Sequence, residues 1–189
     1  MARLSRVYID NACYHITVRG NRKKQVFLDE IDHLRCLHII RKAKKVYGTP
    51  IYAYCLMPNH IHLLIDPHDS RKISSFMHWV NRGYTAYFNS RYTTVGHLWQ
   101  GRFQSRPIIK GAYLINCATY IEMNPVRANI VKNPEDYAWS SYRERCFGNK
   151  NDSGILDEIE IEYSEKVAGT ALICKMGTGC KLISQTVQE

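Results

Sequence analysis

The 189-residue chain contains no apolar run approaching the roughly 18 residues that a membrane-crossing helix needs. Its first residues, Met1-Ala2-Arg3-Leu4-Ser5-Arg6, lack the apolar core of a secretion signal, so no membrane partner and a cytoplasmic location are expected. None of the seven cysteines forms a Cys-x-x-Cys pair, and their number is odd. A disulfide framework or structural zinc site is therefore not expected; reduced, mostly buried thiols are. Internal repeats and low-complexity tracts are absent as well. At 22.0 kDa the chain has room for one ordinary domain and a short appendage.

Acidic residues are the scarce charged type: 17 Asp and Glu face 26 Lys and Arg, for a formal charge of +9. The imbalance is local. Residues 1–150 hold 23 basic and 10 acidic side chains, a net +13, whereas residues 151–189 hold 3 and 7, a net −4. A cationic front part favours an anionic partner, most often nucleic acid.

Ala12 to Val18 is short, rich in β-formers and closed by Arg19-Gly20-Asn21, which predicts a strand. Apolar residues at Phe27, Ile31, Leu34, Leu37 and Ile40 keep a helical period up to about Tyr47, where Gly48-Thr49-Pro50 stops it. Ile51–Met57 and His60–Asp66 flank Pro58-Asn59 as a hairpin. Ile73, Phe76, Met77, Val80, Tyr84 and Tyr87 predict a second long helix to about Arg91. Leu98–Ile109 reads as a loop entering a short strand, and a third helix follows Gly111 to Asn124. This order is that of an α+β ferredoxin-like sandwich, an antiparallel sheet with helices on one face and the other face open for a site. Residues 1–132 are expected to form this domain, 133–150 a short helical extension with a helix near Tyr137–Arg145, and 151–189 an acidic tail.

His60-Ile61-His62 is the sharpest local feature. Alternation along a strand puts His60 and His62 on one face, with Ile61, Leu63 and Ile65 turned into the core. Two adjacent imidazoles can converge on one divalent ion or grip one phosphate. On the third helix, Leu114, Ala118 and Ile121 form a buried stripe, Tyr113, Asn116, Cys117, Tyr120 and Asn124 an adjoining face, and Glu122 lies about 180° from Tyr113. A phenol, with an ordinary pKa near 10, needs a neighbouring cation or a metal-bound phosphate to act as a nucleophile.

Several stretches together resemble a known family: Tyr14-His15-Ile16-Thr17-Val18-Arg19-Gly20-Asn21, Tyr54 through Leu64, Leu98-Trp99-Gln100-Gly101-Arg102-Phe103, Tyr120-Ile121-Glu122-Met123-Asn124-Pro125-Val126-Arg127-Ala128-Asn129, and Trp139-Ser140-Ser141-Tyr142. The chain is similar over roughly residues 3–145 to single-tyrosine His-hydrophobe-His transposases of the IS200-like type, best to REP-associated tyrosine transposases. That resemblance implies the ferredoxin-like fold and metal-assisted transesterification on single-stranded or hairpin-forming DNA through a 5′-phosphotyrosine intermediate. It implies His60 and His62 as metal ligands, Tyr113 as the nucleophile and Mg²⁺ or Mn²⁺ as the ion. Many relatives carry a glutamine one helical turn after the tyrosine as a further ligand. Counted from Tyr113, that position is Cys117, a soft donor poorly suited to Mg²⁺, so the adjacent Asn116 is the expected third ligand.

Arg19, Arg22, Lys23 and Lys24 in the first loop, with Trp99, Arg102 and Arg106, are expected to hold DNA, cations on phosphates and aromatic faces on unpaired bases. The basic end of the first helix is expected to be a solvated surface. His15, if outward-facing, is a substrate contact. Such a protein would be nucleoid-associated, as a monomer or a homodimer. Two other readings fit fewer residues: a repeat-DNA-binding protein whose catalysis has decayed, and a two-histidine-motif phosphoesterase built on His15-Ile16-Thr17 and His60-Ile61-His62.

Overall fold

A computed structural model describes residues 9, 11–148, 154–163, 172–176 and 184–185. The β-formers of the first segment make β1 (Cys13–Arg19), and Asp29 caps α1 (Glu30–Tyr47) by accepting a hydrogen bond from Asp32 N. Gly48 closes that helix in the left-handed region, at φ 57°. β2 (Ile51–Met57) and β3 (His60–Ile65) form the hairpin, followed by α2 (Lys72–Tyr92), β4 (Gln104–Ile108) and α3 (Ala112–Glu122). The sheet order is β2-β3-β1-β4, every pair antiparallel, which is the ferredoxin-like arrangement.

The two faces of the sheet have different occupants. Tyr14, Ile16 and Val18 of β1 with Ile61, Leu63 and Ile65 of β3 join Ile40, Phe76, Val80 and Tyr84 in a core under α1 and α2. On the opposite face Ala53, Cys55, Met57 and Leu64 pack against Leu114, Ala118 and Ile121. The face expected to stand open is thus half covered: α3 lies over β2 and β3, and the β1 and β4 side remains for a site. The long α2 and the hairpin run as the apolar periods predict, while the third helix ends at Glu122 and a separate short helix, α4 (Asn124–Arg127), follows.

Residues 137–145 run along the outer edge of β2. Trp139 O accepts from Leu56 N, Ser141 N donates to Tyr54 O, and the phenol of Tyr137 donates to Leu56 O. The helix there, α5, spans Tyr142–Phe147, later than the Tyr137–Arg145 range expected. Chain beyond residue 150 also enters the cores: Ile155 and Ile159 are fully buried. Asp157 reaches Lys44 Nζ at 2.7 Å, so one lysine of the basic α1 end is paired with the acidic segment. β5 (Ile159–Tyr163), β6 (Leu172–Met176) and β7 (Ser184–Gln185) make a second antiparallel sheet. Cys13, Cys36 and Cys55 are buried thiols and Cys117 and Cys146 half-buried, as expected; Cys180 lies outside the described residues. Among the described residues no helix is long and apolar enough to cross a membrane.

Candidate nucleic-acid-processing site

Gly20 explains why the hairpin tip is held in place. A Cβ on it would lie 2.5 Å from Lys24 O and 2.6 Å from Val26 Cγ1, so only glycine fits where the loop after β1 closes on itself. Gly20 N donates to Asn59 O, and Val26 N donates to Pro58 O. The turn that delivers His60 is therefore gripped from the β1 side.

Strand parity then assembles the site. Thr17 stands opposite His62, Arg19 opposite His60 and Arg106 opposite His15, so all six share the face away from α1 and α2. His15 Nε2 and His62 Nδ1 are 2.9 Å apart and joined by a hydrogen bond, with Thr17 Oγ1 at 3.3 Å from the same His62 nitrogen. The His15 and His62 rings stack at 5.1 Å, and the His60 ring meets His62 edge-on at 4.8 Å. His60 Nδ1 donates to the amide oxygen of Asn59, which leaves Nε2 as its lone-pair nitrogen.

Burial, reinforced by Arg106, lowers His15 to about 4. Burial and then Arg19 lower His60 to about 4, and burial followed by its histidine neighbours and Arg19 lowers His62 to about 3. All three imidazoles are neutral at pH 7, the state a metal ligand needs. Among the described residues no group of three His, Cys, Asp or Glu side chains is arranged to hold a metal. Two imidazoles completed by amide, phosphate and water oxygens are a donor set that fits Mg²⁺ or Mn²⁺, which keep waters and take substrate phosphates.

The tyrosine that meets this cluster is Tyr120. Its ring packs edge-on against His15 at 6.0 Å, and the Arg127 guanidinium lies over the ring, 4.6 Å from its centroid. Tyr113, expected at the site, is 71% exposed at the opening of α3, just after Gly111 at φ 107°. Asn116 is exposed one turn before Tyr120. Burial pushes the Cys117 thiol up to about 11. Asn124, one turn after Tyr120, donates its amide N–H groups to Tyr120 O and Ile121 O. Glu122 points away, as the helix period predicts: its Oε1 accepts from Ser141 Oγ at 2.6 Å and Arg145 Nε at 2.9 Å, all three residues buried.

The expected DNA contacts divide. Arg19 and Arg106 flank the histidines; Arg22, Lys23 and Lys24 stand exposed in the loop beyond β1, and Arg102 is exposed in the loop before β4. Trp99 is corrected: it is 7% exposed, packed in the helix-side core with its indole N–H donating to Asn81 O, so it is not a free stacking surface. From the sequence alone Thr17 has a role only in the phosphoesterase reading, Arg127 stands between a DNA contact and a brace of the fold, and Asn124 lies on the tyrosine face with no role. The alternation His15-x-Thr17 and the one-turn and two-turn spacings from Tyr120 are the signals that carry them.

The family model "Transposase IS200 like" matches residues 8–124, a span that begins before β1 and ends on Asn124. The chain belongs to the IS200-like transposase family. It is 26% identical over 144 residues to a REP-associated tyrosine transposase of Escherichia coli K12, covering 75% of this chain and 83% of that one. A REP-associated tyrosine transposase of Haemophilus influenzae is 27% identical over 154 residues, covering 75% and 86%. Among solved structures, a REP-associated tyrosine transposase bound to a REP hairpin superposes with a TM-score of 0.64 at 23% identity, over 89% of this chain and 100% of that one. The same α+β fold is shared with that transposase.

Proposed function

We propose that this IS200-like transposase cuts and rejoins single-stranded DNA at hairpin-forming repeats by transesterification, with Tyr120 as the nucleophile. The carrying observation is that Tyr120 packs edge-on against His15, whose ring stacks on His62, with the Arg127 guanidinium over the Tyr120 ring. The Tyr120 oxygen attacks phosphorus, an O–P bond forms, the bond to the 3′-oxygen breaks, and a proton passes in net from the phenol to the released 3′-hydroxyl. Attack by another 3′-hydroxyl on the phosphotyrosine reverses the bookkeeping and frees the phenol.

His60 and His62 would hold the divalent ion through their outward nitrogens, the ion supplying polarisation of the phosphate and neutralisation of its developing charge. His15 and Thr17 hold the His62 ring by its other nitrogen. Taking Tyr120 as nucleophile also moves the position one turn further to Asn124. An amide oxygen then stands where relatives carry glutamine, and the anomaly of Cys117 disappears. Arg19 and Arg106 bind phosphates at the two sides of the histidines. Tyr113 with Asn116 is the competing assignment.

Labelled hairpin oligonucleotides incubated with Mg²⁺ or Mn²⁺ separate the two. Tyr120→Phe is expected to abolish the covalent protein–DNA adduct with binding retained, and Tyr113→Phe to leave it. The reverse pattern restores Tyr113, and adduct formation by both variants refutes a tyrosine from α3 as nucleophile. A repeat-DNA-binding protein without catalysis is the second reading, favoured by the absence of a third His, Cys, Asp or Glu ligand among the described residues. Binding by the unmodified protein with no adduct in either metal decides for it. The phosphoesterase reading has less support, because His62 occupies the place of a second hydroxyl residue.

A further inference from the structure

In the sequence Pro58-Asn59 is a hairpin turn and nothing more; in the structure the Asn59 side chain bridges the basic loop after β1 and the first histidine of the pair. Its Nδ2 donates to Lys23 O at 3.1 Å, and its Oδ1 lies 2.5 Å from His60 Nδ1. Only the N–H side of an amide can face a carbonyl, so the oxygen is the atom that faces the imidazole, and Nδ1 must carry the ring proton. Both alternatives set two acceptors against each other. Turning the amide over places its oxygen on Lys23 O, and moving the ring proton to Nε2 places the Nδ1 lone pair on the amide oxygen.

The amide is itself held from the loop. Arg22 and Lys23, neither of them glycine, both lie in the left-handed region, at φ 52° and 59°, a conformation that persists only where its surroundings enforce it. The turn that contains them is closed by Lys23 N donating to Gly20 O at 3.1 Å and Lys24 N donating to Asn21 O at 3.0 Å. Gly20 N donates in turn to Asn59 O at 2.8 Å, so backbone and side chain of Asn59 are both fastened to this loop. The two imidazoles are thus set by different elements. His62 is met at Nδ1 by His15 and Thr17 from β1, and His60 is met at Nδ1 by the turn. In both rings Nε2 is the nitrogen left over.

We propose that Asn59 is a positioning residue: its amide, oriented by Lys23 O, locks His60 in the Nδ1–H tautomer and leaves Nε2 as the nitrogen offered to a divalent ion. The service to the ion rests on the metal-assisted reading above, whereas the lock is a property of the metal-free protein.

Two measurements on the full chain separate these parts. Long-range ¹H–¹⁵N correlation of the imidazoles at pH 7 without metal, with His60 assigned by comparison with His60→Gln, reads the tautomer; isothermal titration with Mn²⁺ reads the affinity. The unmodified protein is expected to show His60 as the Nδ1–H tautomer alone. Asn59→Ala is expected to give a mixture of tautomers and to weaken Mn²⁺ binding by roughly 10- to 100-fold. Asn59→Asp keeps an acceptor for Nδ1–H and is expected to restore both the tautomer and most of the affinity, which a merely structural role for the amide would not do. An Nε2–H tautomer in the unmodified protein, or an unchanged tautomer in Asn59→Ala, overturns the lock, and Mn²⁺ binding that persists in that case leaves the metal reading in place. A lock that Asn59→Ala releases, in a protein that binds no Mn²⁺, upholds the lock and refutes the metal reading. Thermal melting checks that Asn59→Ala is folded; if it is not, the unmodified protein and Asn59→Asp decide, and loss of the Nδ1–H tautomer in either overturns the lock.

Discussion

Should His62 hold a metal as proposed, its ring would be oriented through the other nitrogen, which touches His15 at 2.9 Å and Thr17 at 3.3 Å. In that proposal His15 is a positioning residue as well as a neighbour of Tyr120. His15→Ala is expected to weaken Mn²⁺ binding by roughly 10- to 100-fold in isothermal titration while the protein keeps its melting temperature. Unchanged metal affinity would leave His15 as a packing residue. Trp99 shows the opposite kind of lesson. An indole beside arginines reads as a base-stacking surface in the sequence, yet its N–H finds a carbonyl on α2 and its ring a place in the core.

At the scale of the element, α3 decides which side chains face the histidines. Its apolar stripe seats it on the sheet, and the buried Glu122–Arg145 pair, with Ser141 Oγ donating to the same Glu122 oxygen, pins its end to the chain segment that runs along β2. Replacing Glu122 with Gln leaves the Arg145 guanidinium buried without its countercharge. A loss of about 3–5 kcal/mol is expected in urea unfolding, partly recovered when Arg145 is also replaced by Met. A loss below about 1 kcal/mol in the single variant would show that the pair does not hold the helix. Strand parity and helical period were enough to foresee the faces: His60 with His62, Ile61 with Leu63, Leu114 with Ala118 and Ile121, and Glu122 turned away. They could not foresee which tyrosine packs against His15. Tyr113 and Tyr120 lie seven residues apart on one stripe, about 10 Å along the axis. That choice depends on how far along the sheet the helix sits, a matter of tertiary packing and not of pattern. Arg127 was hidden for the same reason, since its position over Tyr120 follows from the turn between α3 and α4.

Across the whole molecule, the charge asymmetry acquires a structural meaning. Residues 1–150, net +13 by sequence, supply the site flanked by Arg19 and Arg106, while part of the acidic remainder is built into the fold through Ile155, Asp157 and Ile159. Asp157 accepts from Ile51 N and Lys44 Nζ, so it braces the start of β2 as well as neutralising the end of α1. Deleting residues 151–189 is therefore expected to destabilise the protein, by about 2–5 kcal/mol for each buried isoleucine lost, visible as a lower melting temperature. An unchanged melting temperature together with tighter DNA binding would instead make the segment a detachable electrostatic shield.

The proposed chemistry requires a covalent bond between Tyr120 and DNA. Proteolysis and mass spectrometry of the adduct trapped on a hairpin oligonucleotide in Mn²⁺ address it directly. A 5′-phosphonucleotide is expected on the peptide containing Tyr120, with Tyr113 unmodified; the label on Tyr113, or on neither tyrosine, would rule out Tyr120 as the nucleophile.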